Sequence, residues 1–507
     1  MDTDVLVVGA GPAGLMLAAE LRLGGAEVVV VDQRPGPTTE SRASTLHART
    51  MEILDSRGLL EDLGTPPRET RGHFGGVPLD LTLPSVHPGQ WKVAQTRTEE
   101  LLQDRAAALG ADLRRCHQLL SLTVGEDGVE AEVVSPHGPV RLRARYLVGC
   151  DGEDSTVRRL IGAEFPGQDA ARELLRADVS GVCVADRRFQ RLEHGLAIAA
   201  TRDGVTRVMV HEFGRPAGVR AGAEPDFAEV TDIWKRVTGE DISHGTPLWV
   251  NAFGDANRQL AQYRHGRVLF AGDAAHRQMP SGGQALNLGV QDAFNLGWKL
   301  AAVVRASADE DLLDTYHEER HAVGRQVLAN IRAQAQLLLG GPEVEPARTV
   351  LAELIALDGV REHLAGMISG LGIRYDVGGD GHPLLGRRLP DAQLEPAPGE
   401  RAGAGRPVHT TELLRTGCGL LLAPGIDGAE ALRAAAAPWA DRVAFVDHRP
   451  AAGSPLAEGQ ALLVRPDGYV AWAGARPSGL SEALRRWFGV PAGVPAGPLA
   501  DAPASRP

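Results

Sequence analysis

The first 32 residues constrain the fold more than any other stretch of the chain. An apolar run at residues 5–8 leads into Gly-Ala-Gly-Pro-Ala-Gly at residues 9–14, and a second, largely apolar run at residues 27–31 ends in Asp32. In such a pattern the first glycine permits a tight turn, the second lets the backbone approach a pyrophosphate, and the third lets the following helix pack closely on the strand. The acid suits a ribose 2′-hydroxyl. We therefore predict a Rossmann-like βαβ unit that binds the adenosine diphosphate part of NAD or FAD.

Composition restricts the class of protein. With 507 residues, 43% hydrophobic and 23% charged, the chain is predicted to be an ordinary globular protein of about three domains. Its 53 basic and 65 acidic side chains give a net charge of −12, which argues against nucleic acid as a partner. No membrane span and no secretory signal are expected. Four widely spaced cysteines predict neither a metal site nor a disulfide framework, so we expect a cytoplasmic protein: Cys116, Cys150, Cys183 and Cys418.

Two motifs further along the chain indicate which dinucleotide binds. Residues 149–158 read Gly-Cys-Asp-Gly-Glu-Asp-Ser-Thr-Val-Arg after a buried strand, and Gly272-Asp273 follows a predicted strand at residues 267–271. Asp273 can accept a hydrogen bond from a ribityl hydroxyl, and the glycine before it leaves room for a close approach of the backbone. Pro-Ser-Gly-Gly-Gln-Ala-Leu-Asn at residues 280–287 then opens a long amphipathic helix, whose first amides would stabilise negative charge on a reduced flavin.

Taken in this order, the three motifs resemble those of the single-component FAD-dependent aromatic hydroxylases, the flavoprotein monooxygenases with the para-hydroxybenzoate hydroxylase fold. Longer stretches at residues 40–52, 72–76 and 312–320 are most similar to bacterial hydroxylases of aromatic polyketides, notably the angucycline type. The resemblance implies an α/β fold class with a Rossmann-like FAD-binding domain, a β-sheet substrate domain and a C-terminal thioredoxin-like domain. It also implies that bound FAD, transiently bound NADPH and O2 hydroxylate a polycyclic aromatic polyketide phenol through a flavin C4a-hydroperoxide.

The resemblance also assigns residues to the cofactor. It implies contacts of Arg42 and Gln95 with the diphosphate and ribityl groups, of the Leu119 backbone with adenine, and of the Leu286 and Asn287 amides with the isoalloxazine. Ala285 and Leu286 depart from the glycine and methionine that the family commonly has there, so the resemblance does not by itself imply tight contact at these two positions. We expect Asp151 to act structurally or indirectly. The predicted cofactor-binding residues are Gly9, Gly11, Pro12, Ala13, Gly14, Asp32, Gln33, Arg42, Gln95, Leu119, Asp151, Gly272, Asp273, Pro280, Gly283, Leu286 and Asn287.

The substrate is expected to meet a second sheet. Residues 176–257 depart from the βαβ rhythm and alternate apolar with polar residues, which predicts one wall of a substrate pocket, together with part of residues 75–95. Because the flavin carries the chemistry, no catalytic side chain is required. Candidate pocket residues are Pro280, the aromatic side chains Trp249 and Phe253, and His73 and His211, which could deprotonate a phenol. For each aromatic residue and histidine, a plain packing role is the alternative.

We expect the FAD-binding domain to be discontinuous, at residues 1–175 and 258–385, on either side of the substrate domain at 176–257. No second G-x-G-x-x-G follows a strand, so no separate nicotinamide-binding domain is predicted.

The C-terminal third is expected to be a separate unit. Gly- and Pro-rich residues 376–408 predict a linker, and residues 386–490 a thioredoxin-like domain with a helix at 429–439. Because this domain holds Cys418 without a C-x-x-C pair, we expect a structural or oligomer-contact role, and a homo-oligomer remains open. The Pro-, Ala- and Gly-rich residues 491–507 are predicted to be a disordered tail.

Other functions remain open at this stage. The same fold could carry out a Baeyer–Villiger oxidation or inactivate an antibiotic of the rifampicin type, and a non-catalytic flavin-binding protein is an alternative of another class. Disulfide reductases are disfavoured because they would require a C-x-x-C pair.

Overall fold

The computed structural model describes residues 1–39, 43–218, 224–379, 381–396, 407–423, 429–451, 453–456 and 459–491. Arg42 therefore lies outside the described residues. So do residues 380 and 397–406 of the predicted linker, 219–223 of the predicted substrate domain, 424–428, 452 and 457–458 of the predicted C-terminal domain, and 492–507 of the predicted tail.

Strands are numbered in chain order. They are β1 Thr3–Val8, β2 Val28–Asp32, β3 Leu46–His47, β4 Arg68–Glu69, β5 Arg71–Phe74, β6 Val77–Asp80, β7 Gln90–Trp91, β8 Asp112–Arg115, β9 Gln118–Val124, β10 Val129–Ser135, β11 Gly138–Gly149, β12 Gly167–Gln168, β13 Glu173–Ser180, β14 Arg187–Arg191, β15 Gly195–Arg202, β16 Val205–Glu212, β17 Thr246–Gly254, β18 Asn257–Gln259, β19 Arg264–His265, β20 Val268–Phe270, β21 His276–Arg277, β22 Gln393–Pro396, β23 Val408–His409, β24 Gly419–Leu422, β25 Val443–Val446, β26 His448–Pro450, β27 Ala461–Val464 and β28 Val470–Gly474.

The α-helices are numbered in the same way. They are α1 Pro12–Leu23, α2 Ala48–Asp55, α3 Leu60–Leu63, α4 Gln95–Ala108, α5 Thr156–Leu160, α6 Phe227–Thr238, α7 Gln284–Val304, α8 Asp314–Leu339, α9 Glu345–Ile355, α10 Asp358–Ser369, α11 Thr410–Leu413, α12 Ala429–Ala436 and α13 Leu480–Phe488.

The main sheet carries the nucleotide-binding topology. Among the described residues it has eight strands, with the order β19-β20-β11-β1-β2-β8 and β10 and β9 attached to β11 as an antiparallel meander. Strands β20, β11, β1, β2 and β8 run parallel. The Val- and Leu-rich β1 and β2 are almost wholly buried, as expected of parallel strands covered on both faces. Helix α1 returns the chain between them and packs on α7.

A second, antiparallel sheet has the order β14-β15-β16-β13-β17. One face packs on α6, where Trp234 is fully buried. The opposite face packs on α8 and on Met279, which directly precedes the Pro280–Gly283 motif. Because side chains alternate along each strand, this arrangement brings every second residue of β13 and β17 towards the motif.

The C-terminal unit is a mixed sheet, β25-β24-β27-β28, flanked by α12 and α13. The α/β fold class predicted from the sequence is confirmed. One detail of the prediction was wrong: α12 ends at Ala436, and a 3-10 turn, Ala437–Trp439, replaces its last turn. Pro438 explains the difference, because it has no N–H to continue the helix.

Buried charges connect this C-terminal unit to the rest of the molecule. In the turn between β27 and β28, Arg465 forms ion pairs with Asp467 and with Glu319 of α8. Glu319 also accepts a hydrogen bond from Lys299 of α7 at 2.8 Å. Burial alone would raise the pKa of Glu319, but the positive charges of Arg465 and Lys299 outweigh this effect and lower it to about 2.

Candidate cofactor and substrate site

The glycine-rich turn has the shape that a diphosphate requires. Gly9 has φ +105°, and a Cβ there would lie 2.3 Å from the carbonyl oxygen of Cys150. A Cβ on Gly14 would lie 1.9 Å from the Gly9 carbonyl oxygen, so both positions demand glycine. Gly11 differs, because a Cβ there would meet nothing within 4 Å. The backbone at the N-terminus of α1 therefore faces open space, where its unpaired amides and the helix dipole favour an anion.

Asp32 lies beside this turn at the end of β2. Its carboxylate accepts hydrogen bonds from the Ala10 and Arg34 amides, at 2.7 and 2.8 Å. The guanidinium of Arg115, from β8, lies 3.6 Å from the same carboxylate. Arg115 is a candidate that the sequence reading missed, because its approach to Asp32 depends on strand order rather than on a local motif. Gln33 is exposed next to Asp32, and Leu119 is buried in β9.

Gln95 begins α4 and holds the segment that starts at Ala43. Its backbone amide donates to the Ala43 carbonyl at 2.9 Å, and its Oε1 accepts the Ala43 amide at 3.2 Å. Its Nε2 donates to Glu99, whose carboxylate also accepts the Thr38 amide. Gln95 therefore shapes this loop, whatever it contributes to a ligand.

Asp151 caps a short helix. Its Oδ2 accepts the Thr156 and Val157 amides at the start of α5, at 2.6 and 3.0 Å. In the same motif, Arg158 donates to the carbonyl of Ala274 and lies over the ring of Phe165. The hydrogen bonds of Asp151 to the start of α5 favour the structural or indirect role expected for it, and Arg158 braces the loop that carries Asp273.

The Gly272-Asp273 loop meets the glycine-rich turn. Gly272 has φ +67°, and a Cβ there would lie 3.0 Å from the Cβ of Ala13. Asp292 of α7 holds the loop from below, accepting hydrogen bonds from the Gly272 amide, His276 and Arg320. The Asp273 side chain is exposed, yet desolvation by the surrounding protein raises the pKa of its carboxyl group. The N-terminal and Gly-Asp motifs thus lie side by side, as a single extended ligand requires.

The first turn of α7 is fixed by an unpredicted pair, His47 and Asn287. Gly282 and Gly283 both have positive φ, so two consecutive left-handed residues make the tight turn before the helix. Asn287 binds the backbone on both sides of it: Oδ1 accepts the His47 amide, and Nδ2 donates to the carbonyls of Thr45 and Gly283. The Nε2 of His47 lies 2.8 Å from the Gly282 carbonyl oxygen. The Leu286 amide, in the first turn, is left to bind an acceptor outside the helix.

These residues fit FAD. The open backbone at Gly11 and the amides at the start of α7 supply donors suited to a diphosphate and to a flavin, and the contact between Gly272 and Ala13 holds Asp273 close to the glycine-rich turn. Among the residues that the structure describes, no cluster of His, Cys, Asp or Glu could hold a metal ion. None of the described helices is long and apolar enough to cross a membrane.

The aromatic candidates lie on the sheet face opposite α6. Phe253 pairs with Leu174 in the sheet and packs against the apolar cluster that includes Met279, the residue before the exposed Pro280. Trp249 lies earlier in β17. The Cζ atom of the Arg176 guanidinium is 4.2 Å from the centre of the Trp249 ring and 5.5 Å from the centre of the Phe253 ring. Arg176 is buried, and sequence reasoning missed it as a part of this wall.

Neither histidine candidate is arranged as a base. His73 Nδ1 accepts the Gly76 amide, so Nε2 must carry the hydrogen, and burial lowers the pKa of His73 to about 4. Both nitrogens of His211 lie within hydrogen-bonding distance of backbone carbonyls, those of Glu173 and Leu339. In this arrangement His211 ties β16 to β13 and to the end of α8. Neither ring offers a free basic nitrogen to a phenol, a correction to the sequence-based hypothesis.

Two family models match the chain. One is described as an FAD binding domain and matches residues 2–331; the other is described as aromatic-ring hydroxylase, C-terminal, and matches residues 382–491. Together they cover most of the protein.

Individual relatives match over nearly the full length. A 12-dehydrotetracycline 5-monooxygenase/anhydrotetracycline 6-monooxygenase of Streptomyces rimosus is 42% identical over 97% of this chain and 100% of its own. A rifampicin monooxygenase of Streptomyces venezuelae is 41% identical over 96% and 98%. The crystal structure of an aromatic hydroxylase from angucycline biosynthesis is 49% identical in sequence, with a TM-score of 0.91, over 97% of this chain and 100% of that one.

Proposed function

The chain belongs to the family of FAD-dependent aromatic-ring hydroxylases and is an FAD-dependent aromatic monooxygenase; on that premise we propose that it hydroxylates a phenolic ring of a polycyclic aromatic polyketide, using NADPH and O2. The observation that carries the proposal is the position of Met279 and Pro280. They join the flavin-site turn to an apolar, aromatic-bearing sheet face, which suits a planar apolar ring.

The roles of the chain's own residues follow from their geometry. Reduced FAD supplies the oxygen-activating chemistry. The α1 N-terminus and Gly11 would bind the diphosphate, Asp32 would accept from the adenosine ribose, and Asp273 would accept from the ribityl chain. The first amides of α7 would stabilise negative charge at the pyrimidine end of the flavin.

The second sheet would orient the substrate and exclude water. Leu174, Met279 and Phe253 supply apolar contact, and Arg176 places a positive charge over the aromatic wall. Such a charge would favour an ionised or strongly polarised phenol. Since His73 and His211 offer no free basic nitrogen, the phenol proton would leave by another route than these rings.

The test is anaerobic addition of NADPH to the FAD-loaded protein, with and without anhydrotetracycline, followed by isotopically labelled O2 and mass spectrometry. Faster loss of flavin absorbance with the aromatic compound and gain of one labelled oxygen in the product would support hydroxylation. Failure to hold FAD, or product without labelled oxygen, would contradict it.

A second candidate function is oxidative inactivation of a rifampicin-type antibiotic, favoured by the 41% identity to a rifampicin monooxygenase. Incubation with rifampicin separates the two functions. A ring-opened or chain-cleaved product would favour inactivation, whereas an intact polycycle with one added hydroxyl would favour the proposed hydroxylation.

A further inference from the structure

A cavity of about 350 Å³ lies between α7, α8 and α10, beside the first turn of α7. Its wall mixes apolar and polar side chains, and its ionisable side chains, Glu362, His363 and Arg387, are exposed. Its size is at the lower end of the range for small-molecule sites. The apolar lining includes Leu288, Val323, Val327, Met367 and Ile368.

Asn330 lines this cavity and carries an unpaired hydrogen-bond donor. The Gly75 amide can only donate, and it lies 3.3 Å from Oε1 of Gln334, which fixes the orientation of that side-chain amide. Gln334 Nε2 then donates to Asn330 Oδ1 at 2.9 Å. The remaining Nδ2 of Asn330 is buried and has no partner among the described residues. Asn330 therefore offers N–H groups that nothing in the described chain accepts.

Gln284 presents the complementary acceptor. Its Nε2 lies 3.5 Å from the carbonyl oxygen of Ser281, which can only accept, so this contact orients the amide. Its Oε1 is buried and has no partner within the described part of the chain. Gln284 and Asn330 both line the cavity. Buried side-chain amides are rarely left unpaired, and two at one cavity indicate a ligand with one acceptor and one donor.

We propose that this cavity binds the end of the polycyclic substrate distant from the hydroxylated ring, and that it selects an end bearing a carbonyl and a hydroxyl group. Asn330 Nδ2 donates to the carbonyl, and Gln284 Oε1 accepts from the hydroxyl. The inference rests on the proposed function, because Gln284 and Asn287 belong both to the cavity and to the α7 turn assigned to the flavin. A substrate with one ring at this turn extends into the cavity only if it has several rings.

The test measures binding to the FAD-loaded protein without NADPH, so that it does not depend on turnover. The probes are anhydrotetracycline, which has several fused rings and a keto–hydroxyl end, and 1-naphthol, which lacks that end. The variants are Asn330→Leu, which removes the donor, and Val323→Phe, which fills the cavity from a position that takes no part in the amide chain. Gln336→Leu is the matched control, since Gln336 is exposed on the same helix and does not line the cavity.

Asn330→Leu should raise the dissociation constant for anhydrotetracycline about tenfold or less, as expected for one hydrogen bond. Val323→Phe should raise it by at least as much, and Gln336→Leu should leave it unchanged. The dissociation constant for 1-naphthol should be the same in all four proteins. FAD content and the thermal unfolding midpoint show whether each variant is folded, and Val323→Phe carries the test if Asn330→Leu is not.

Equal dissociation constants for anhydrotetracycline in the wild type and the folded variants would overturn the inference, since the cavity would then hold only water. Absence of anhydrotetracycline binding by the wild type would overturn it as well. Failure of the proposed function looks different: the variants would still weaken anhydrotetracycline binding, but no labelled oxygen would enter a product.

Discussion

His47 and Asn287 are 240 positions apart in the sequence, yet they form one hydrogen-bonded unit at the start of α7. The Gly282 carbonyl can only accept a hydrogen bond, so the Nε2 of His47 must carry the hydrogen of the bond between His47 and Gly282. Burial lowers the pKa of His47 to about 4, and its Nδ1 has no partner among the described residues. Protonation would therefore place a buried, unpaired charge beside the turn that meets the flavin.

This relationship predicts acid sensitivity. The unfolded chain binds a proton at His47 near pH 6.5 and the folded chain only near pH 4, so the free energy of unfolding should fall as the pH drops between these values. The contribution is at most roughly 3 kcal/mol. His47→Gln retains an N–H donor for Gly282 but does not titrate, so its unfolding free energy should change less between pH 7 and pH 5 in urea titrations. Parallel pH dependence in both proteins would contradict this assignment.

The glycine-rich turn predicts opposite outcomes for two similar substitutions. Gly9→Ala should destabilise the protein by roughly 2 kcal/mol or more, because the side chain would meet the Cys150 carbonyl in a left-handed backbone region. Gly11→Ala should leave the unfolding free energy of the flavin-free protein within about 0.5 kcal/mol. Its methyl group would project into the space assigned to the diphosphate, so FAD affinity should fall about tenfold or more. Full FAD retention in Gly11→Ala would refute that placement.

The two aromatic wall residues should differ in their effect on substrate. Phe253 packs against the apolar cluster that includes Met279, whereas Trp249, earlier in β17, lies under Arg176 and outside that cluster. We therefore expect Phe253→Ala to raise the substrate KM about tenfold and Trp249→Ala to raise it less than about threefold. Steady-state kinetics with anhydrotetracycline at fixed NADPH measure both. A larger effect at Trp249 would move the substrate away from Met279.

The buried ion pair predicts a large loss of stability. Arg465→Met should destabilise the protein by about 3–5 kcal/mol, because Glu319 would lose its closest cation and remain buried. Glu318→Gln, on the same helix but exposed, should change it by less than about 0.5 kcal/mol. Chemical denaturation of both variants at pH 7 tests the comparison. Similar values for the two would show that the ion pair contributes little.

Residues close together in the sequence were the predictable part of the site. The turn at residues 9–14 and the helix beginning at Gln284 are local, because glycine conformation and helix start signals depend on a few neighbouring residues. The partners of those turns were not predictable. Asn287, proposed for its backbone, also uses its side chain on His47, and that choice depends on how distant segments pack.

The same limit explains the histidine hypotheses. His73 and His211 have the side chain that phenol deprotonation needs, but a sequence does not say which backbone groups will face the ring. The Gly76 amide occupies a ring nitrogen of His73, and the carbonyls of Glu173 and Leu339 face the two ring nitrogens of His211. Glu173 and Leu339 lie on β13 and α8, far from His211 in the sequence.

The Arg465–Glu319 pair sets a rule for building chimaeras within this family. A C-terminal unit exchanged at the linker would bring its own turn between β27 and β28, while Glu319 and Lys299 would stay with the recipient. Unless the donor turn supplies an arginine at the corresponding place, the hybrid would inherit a buried carboxylate that keeps Lys299 but lacks its second cation. Crossover points in recombination experiments should therefore be chosen so that Lys299, Glu319 and Arg465 come from one parent.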